Sequence, residues 1–323
     1  MNEFKRTLEK LRQADPPRSA LYQLSNLHGQ ELALLTEAWS SFSEEHRQMV
    51  VSRLIEIAEA DFEVDFAEIF KVCLCDSSAP VRAAGIEGLW EVEDIRLLRP
   101  LIDLLRDDPS SLVREAAAIS LGRYALLAEL GRLQDRPSDM VWAALWNAFD
   151  NPKEDLYVRR RAAESLAYFG RAEVKQVIER AYQSEDPKMR ASAVFAMGRS
   201  ADEEWAETVL SELERDDPEM RYEATRACGD LRVFEAVPLL SKMVADPDPE
   251  VKLMAVWALG QIGGPAARRV LEICTEVGDE AVQDAAEEAL TELEFMQGTL
   301  DLSMLDFDAD GDADPWEDDE EIV

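Results

Sequence analysis

The sequence predicts an all-α protein, an α-solenoid of about seven helical hairpins of 31 residues each. A helical segment precedes the hairpins and an acidic stretch follows them. Three observations carry this prediction: a capping motif that returns at a fixed interval, small residues at two set places behind it, and an amphipathic stretch between copies.

The motif is plainest in DPKMRASAVFAMG (186–198), DPEMRYEATRACG (217–229) and DPEVKLMAVWALG (248–260). Its register runs through Asp155, Asp186, Asp217, Asp248 and Asp279, each 31 residues after the last, and earlier copies begin at Ser78 and Ser110. Ser or Asp in the opening place suits a helix N-cap, which accepts the first amides. Pro187, Pro218 and Pro249 follow at the first helical position, where a missing N–H costs nothing. Behind the cap, Gly85, Ala117, Ala162, Ala193, Ala224, Ala255 and Ala286 share one face with Gly88, Ser120, Ser165, Ala196, Ala227, Ala258 and Ala289. That face lets neighbouring helices approach closely. Gly122, Gly198, Gly229 and Gly260 are expected to end the helices. Stretches such as 236–245 and 266–275 supply the second helix of each hairpin.

Three segments follow from this register. Residues 1–75 lack the motif but read as helices, either degenerate repeats or a separate cap, with Ser43 capping the helix that begins SEEHRQMV. Residues 76–297 form the array, in which the step from Ser110 to Asp155 is 45 residues; the extra stretch, 124–140, is expected to lengthen one hairpin and its loop. Trp142 and Trp146 share a helix face there and read as packing. Residues 298–323 read as a disordered acidic tail.

On these motifs the chain resembles the HEAT-repeat family, and in particular the short HEAT-like repeats of phycobilisome lyase subunits. The resemblance covers about 76–296. It implies a right-handed solenoid with the motif-bearing helices on the concave side. It also implies a ladder between units in which Arg82, Arg114, Arg159, Arg190, Arg221 and Lys252 pair with the capping carboxylates Asp155, Asp186, Asp217, Asp248 and Asp279. The ladder ends at Gln283, so the last unit reads as a cap.

Composition narrows the function. With 34 Lys and Arg against 68 Asp and Glu, the net charge is −34. Such a field repels phosphate backbones and anionic lipids and attracts basic proteins. No nucleic acid and no membrane are therefore expected as partners. The opening MNEFKRTLEKLRQADPPR carries no apolar segment of a signal peptide, and Cys73, Cys75, Cys228 and Cys274 make no disulfide or zinc framework. A cytoplasmic protein with reduced thiols is the expectation.

Catalytic chemistry has few candidates. Deoxyhypusine hydroxylase is similar in its repeats but needs several His–Glu pairs for iron, whereas this chain has only His28 and His46, outside the motif units. A bilin-lyase-type subunit, acting on a chromophore protein, is the alternative the family resemblance leaves, although no residue marks a tetrapyrrole site. No catalytic residue and no cofactor are expected.

Binding remains, with a protein or peptide partner that carries a basic segment. Counting from the residue before each ladder Arg, the second and sixth positions point away from the core. Most units place charged or small residues there, such as Glu87, Glu115, Glu164 and Glu288. Three adjacent units instead offer Phe195, Tyr222 with Arg226, and Leu253 with Trp257. These five are expected to form a partner-binding patch.

The tail contains DFDADGDADPWE (306–317), which places Asp306, Asp308, Asp310, Asp312 and Glu317 at the ligand spacing of an EF-hand loop. A helix predicted to stop near Met296 and Pro315 at the start of the exiting helix argue against a folded hand, leaving at most weak calcium association.

Overall fold

The computed structural model describes residues 2–307. Two short helices open the chain, α1 (Asn2–Leu11) and α2 (Arg18–Tyr22). Helical hairpins follow: α3 (Gly29–Trp39) with α4 (Glu44–Ala60), α5 (Ala67–Cys73) with α6 (Ala79–Gly88), and α7 (Leu98–Asp107) with α8 (Ser111–Glu129). Next come α9 (Asp135–Asp150) with α10 (Leu156–Leu166) and α11 (Val174–Tyr182) with α12 (Pro187–Arg199). These elements make a first compact unit, Met1–Ser200. A second unit begins at Ala201. It holds α13 (Ala206–Glu212) with α14 (Pro218–Asp230), α15 (Val237–Met243) with α16 (Pro249–Ile262), and α17 (Gly264–Val277) with α18 (Glu280–Phe307).

Within each unit the second helices of successive hairpins pack side by side: α4, α6, α8, α10 and α12 in the first, α14, α16 and α18 in the second. The small residues are what bring them together. Ala117, Ala162, Ala193, Ala224, Ala255 and Ala286 are all fully buried, as the register requires. The Asp caps also behave as expected. Asp155, Asp186, Asp217 and Asp248 each accept an amide from the first turn of their own helix, with Pro187, Pro218 and Pro249 in place. Ser78 and Ser110 make no such bond. Instead Asp76 and Asp108, two residues earlier, accept the Ser78 and Ser110 amides at 2.8 and 2.9 Å.

Three expectations need correction. Gly198, Gly229 and Gly260 fall in the last turn of α12, α14 and α16, as expected, but Gly122 sits well inside α8. An added Cβ at Gly122, Gly229 or Gly260 would press on Ser165, on Trp257 and Ala258, or on Ala289 of the next motif helix, so these glycines serve close approach. At the end of α14 the left-handed residue is Arg232, with φ of 51°. Secondly, α18 does not stop near Met296 but continues to Phe307. TLDLSMLDF contains no helix breaker, and Gly298 alone does not stop a helix already nucleated over four turns.

The third correction concerns the ladder. Arg82 pairs with Asp108 and Arg221 with Asp246, each at 2.8 Å, and neither partner is a capping residue. Both acids lie two places before the next cap, where they also hold that cap's amide. Arg114 uses Glu154 at 2.7 Å, whereas Arg159 and Arg190 bond to backbone carbonyls at Phe149 and at Ser184 and Glu185. Only Lys252 reaches a capping carboxylate, Asp279, at 2.7 Å. The capping Asp is already committed to its own helix, so an acid just upstream is better placed to receive the guanidinium. The ladder also starts one unit early: Arg47, four residues after Ser43, pairs with Asp76 at 2.8 Å. Residues 29–60 are thus a hairpin of the same kind.

Burial alone would raise the carboxyls of Asp76, Asp108 and Asp246, but the bonds from Arg47, Arg82 and Arg221 and from backbone amides outweigh it, and all three lie below the usual range. Hydrogen bonds from Arg96 lower Asp94 to about 2. Carboxyls depressed in the folded state add stability that is complete above their unfolded value, about 3.9, and is lost as pH falls through the folded value. Relief of self-repulsion in a chain of charge −34 acts in the opposite direction over the same range. The difference between wild type and Asp108→Asn isolates the ladder. The melting-temperature gap between them is expected to be widest at neutral pH and to close below about pH 4. A gap independent of pH would show that the Asp108 carboxylate charge contributes nothing.

Candidate functional site

The motif helices of the first unit leave an apolar strip uncovered. Between α4, α6 and α8 lies an open cavity of about 690 Å³. Small residues, Ala83, Ala84, Gly88 and Ala116, make its depression, and Ile55 and Pro80 line one side. Three large side chains border it while facing solvent: Trp90 is 52% exposed, Leu112 48% and Ile119 40%. Its charged lining is entirely acidic, from Glu59, Glu87 and Glu91. All three are exposed, and none enters an ion pair among the described residues.

A second cavity of about 210 Å³ adjoins it, sharing Trp90 and Ile119 and adding Leu126, Tyr168 and Phe195. The cations there are already engaged. Arg161 is held by Glu115 at 3.2 Å and Glu164 at 2.7 Å, and Arg123 donates to the carbonyls of Leu89 and Val92 beyond α6. The two cavities therefore make one apolar groove with a net acidic lining.

Of the five residues expected to bind a partner, Phe195 alone belongs to the first unit, where it is half-buried with the Arg199 guanidinium 5.7 Å from its ring. The other four lie in the second unit. Tyr222 and Arg226 stand on α14, half-buried, and burial pushes the Tyr222 phenol up. Leu253 on α16 is 38% exposed. Trp257 is half-buried against α14, so close that a Cβ on Gly229 would come within 2.7 Å of its ring. Trp257 is thus in large part a packing residue. The second positions of α10 and α12 do not point away from the core: Arg160, on Ser192, and Ala191 are buried.

The geometry of capped motif helices, close-packed small residues and inter-unit Arg–Asp bonds has its counterpart in a family model. The model for HEAT repeats matches residues 31–122, 142–211 and 206–291. The chain belongs to the HEAT-repeat family. Among solved structures it is similar to the complex of CpcE and CpcF of phycocyanin lyase from Nostoc sp. PCC7120, at 20% identity over 70% of this chain and 87% of that one, with a TM-score of 0.51. Human deoxyhypusine hydroxylase is another, at 19% identity over 91% and 96% of the two chains, with a TM-score of 0.36. No curated protein matches the chain.

The HEAT match begins at residue 31, inside α3, so the first hairpin is a repeat and α1 and α2 precede the array. The 45-residue step is absorbed by length: α8 has 19 residues and α9 has 16. Trp142 and Trp146 stack at 5.9 Å and fill the space beside α11, between Arg171 and Arg180. That is the packing role expected of them. His46 places Nε2 2.6 Å from the Leu11 carbonyl, tying α1 to α4, while His28 stands exposed before α3. Burial pushes the thiols of Cys73 and Cys228 up to about 12, which keeps them protonated at neutral pH.

Trp90, Leu112 and Ile119 were not among the expected binding residues. Ile119 occupies the sixth position of α8, so the pattern contained it; Trp90 and Leu112 fall outside those positions and carry no periodic signal. The spacing of Asp306 to Glu317 lies mostly outside the described residues. One ground against a folded hand does fall, since α18 leads directly into that stretch.

Proposed function

We propose that this HEAT protein is a non-catalytic interaction scaffold that holds a protein or peptide partner with a basic segment on the face built by its motif helices. The observation that carries the reading is the apolar strip of Trp90, Leu112 and Ile119, left open to solvent beside unpaired carboxylates. Uncovered aromatic and aliphatic groups in a preformed groove favour binding, because little order has to be imposed on association. Aliphatic and indole groups beside carboxylates suit recognition of a partner surface. Phe195 extends the strip in the first unit, while Tyr222, Arg226, Leu253 and Trp257 offer a smaller surface in the second. The field of a chain at −34 steers a basic partner toward it, and association slows as salt shortens the Debye length. No helix of the described residues is long and apolar enough to cross a membrane.

The test is site-specific photo-cross-linking of the full-length protein in an extract of its native cell. A cross-linking amino acid is placed at Ile119 or Leu253 on the motif helices, and at the exposed Arg99 of α7 as control. One protein of net positive charge captured at a motif-helix position but not at position 99 is the expected result. Equal capture at all three positions, or none, would overturn the reading.

A further inference from the structure

We infer that the groove between α4, α6 and α8 is the docking site for a single amphipathic helix of a protein partner, with an apolar face and flanking Lys or Arg. This rests on the scaffold reading and narrows it to one site and one class of occupant.

The backbone chemistry of the groove selects a helix. Its walls are three helices and the turn that carries Trp90 and Glu91, and the lining is largely apolar, with no strand beside it among the described residues. An extended segment laid on such a surface would leave its own N–H and C=O groups without partners, since no sheet edge is offered. A helix satisfies its backbone internally and presents side chains at i, i+3, i+4 and i+7. The cavity of about 690 Å³ has room for several large aliphatic or aromatic side chains, with Trp90 and Ile119 on its border.

Charge selects the rest. Glu59, Glu87 and Glu91 are the charged residues that line this cavity, and the nearby Arg123 is held by the carbonyls of Leu89 and Val92. An apolar face flanked by Lys or Arg would pair with them at the rim, where the ions keep part of their hydration. The same field excludes two occupants close at hand. The stretch 308–323 of this chain holds nine carboxylates and no Lys or Arg, and a second copy would bring another −34. In the second unit, Leu253 is only 38% exposed, and Trp257 is turned onto Gly229.

The experiment uses the full-length protein and a fluorescein-labelled synthetic helix of about 18 residues, with Leu on one face and Lys along its flanks. One control peptide replaces each Leu with Ser at equal charge; the other replaces each Lys with Glu. Binding is read by anisotropy, and the fold of each variant is checked by its melting curve. The Leu/Lys helix is expected to bind, and Trp90→Ser and the pair Glu87→Gln/Glu91→Gln each to weaken it about tenfold or more. Ile273→Ser, at an exposed position of α17 outside the motif helices, is expected to leave it unchanged, and both control peptides to bind at least about tenfold more weakly. Equal binding of the Ser peptide would show charge alone at work and overturn the inference. So would equal binding of the Glu peptide, indifference to Trp90→Ser, or no binding of the Leu/Lys helix. Partner capture at Leu253 without peptide binding would leave the scaffold reading standing and remove this site. Failure of both experiments would remove both.

Discussion

Asp76→Ala is expected to destabilise the first unit by about 3–5 kcal/mol, as breaking a buried ion pair does. The Asp76 side chain is 3% exposed and that of Arg47 9%. The carboxylate accepts four hydrogen bonds at 2.8 Å, from Trp39 Nε1, from Arg47 Nε and Nη2, and from the Ser78 amide. Its removal leaves a guanidinium, an indole N–H and a backbone amide without that acceptor in a site poorly reached by water. Three elements meet there, since Trp39 belongs to α3, Arg47 to α4, and Ser78 precedes α6. Urea unfolding followed by circular dichroism measures the total. A double-mutant cycle with Arg47→Ala is expected to show a coupling above about 1 kcal/mol. A loss for Asp76→Ala below about 1 kcal/mol would mean that water replaces the carboxylate.

The second large effect is steric. Gly85→Val is expected to cost more than about 2 kcal/mol, at the upper end of what overpacking does. A Cβ at Gly85 would stand 2.6 Å from Cys73 Cβ and 3.0 Å from the Phe70 carbonyl oxygen. The carbonyl belongs to the backbone of α5 and cannot rotate away. Replacing glycine inside a helix ordinarily gains up to about 1 kcal/mol, so the sign of the measured change decides which effect wins. Gly88 makes the useful comparison, because the nearest atoms to its added Cβ would be those of the Phe70 ring, at 2.5 Å. Gly88→Ala is expected to be the milder change, since a side chain can turn. Stabilisation by Gly85→Val would show that α5 and α6 separate freely.

The array was legible because periodic features leave periodic sequence. Cap, proline and small residues recur every 31 residues, and each has one local physical cause. What depends on two distant segments was harder to read. The acid that meets Arg82 is Asp108, and nothing near Arg82 in sequence indicates whether the cap or the residue two places before it will receive the guanidinium. The first hairpin went unplaced because the Ser43–Arg47 pair lacks the small-residue ladder behind it, having Val50 and Arg53 instead. The groove was missed for a related reason. Its exposure comes from what three helices fail to cover, and Trp90 shows that only once Ala83, Ala84 and Ala116 lie beside it.

The Arg–Asp bonds also bear on how such an array changes length over time. Each joins a residue four places into one motif helix to one two places before the next cap. Removing or copying a whole repeat leaves every such pair in phase, for Arg47 would then meet Asp108 as it now meets Asp76. Steps of other lengths also keep the pair where the acid stays two places before the cap, as in the 35 residues from Ser43 to Ser78 and the 32 from Ser78 to Ser110. The 45 residues between Ser110 and Asp155 differ, since Lys153 stands at that place. There the partner has changed: Arg114 is met by Glu154, one residue later and one methylene longer. The array is thus editable in whole hairpins, and within a hairpin wherever the acid keeps its place before the cap or a longer acid spans the difference.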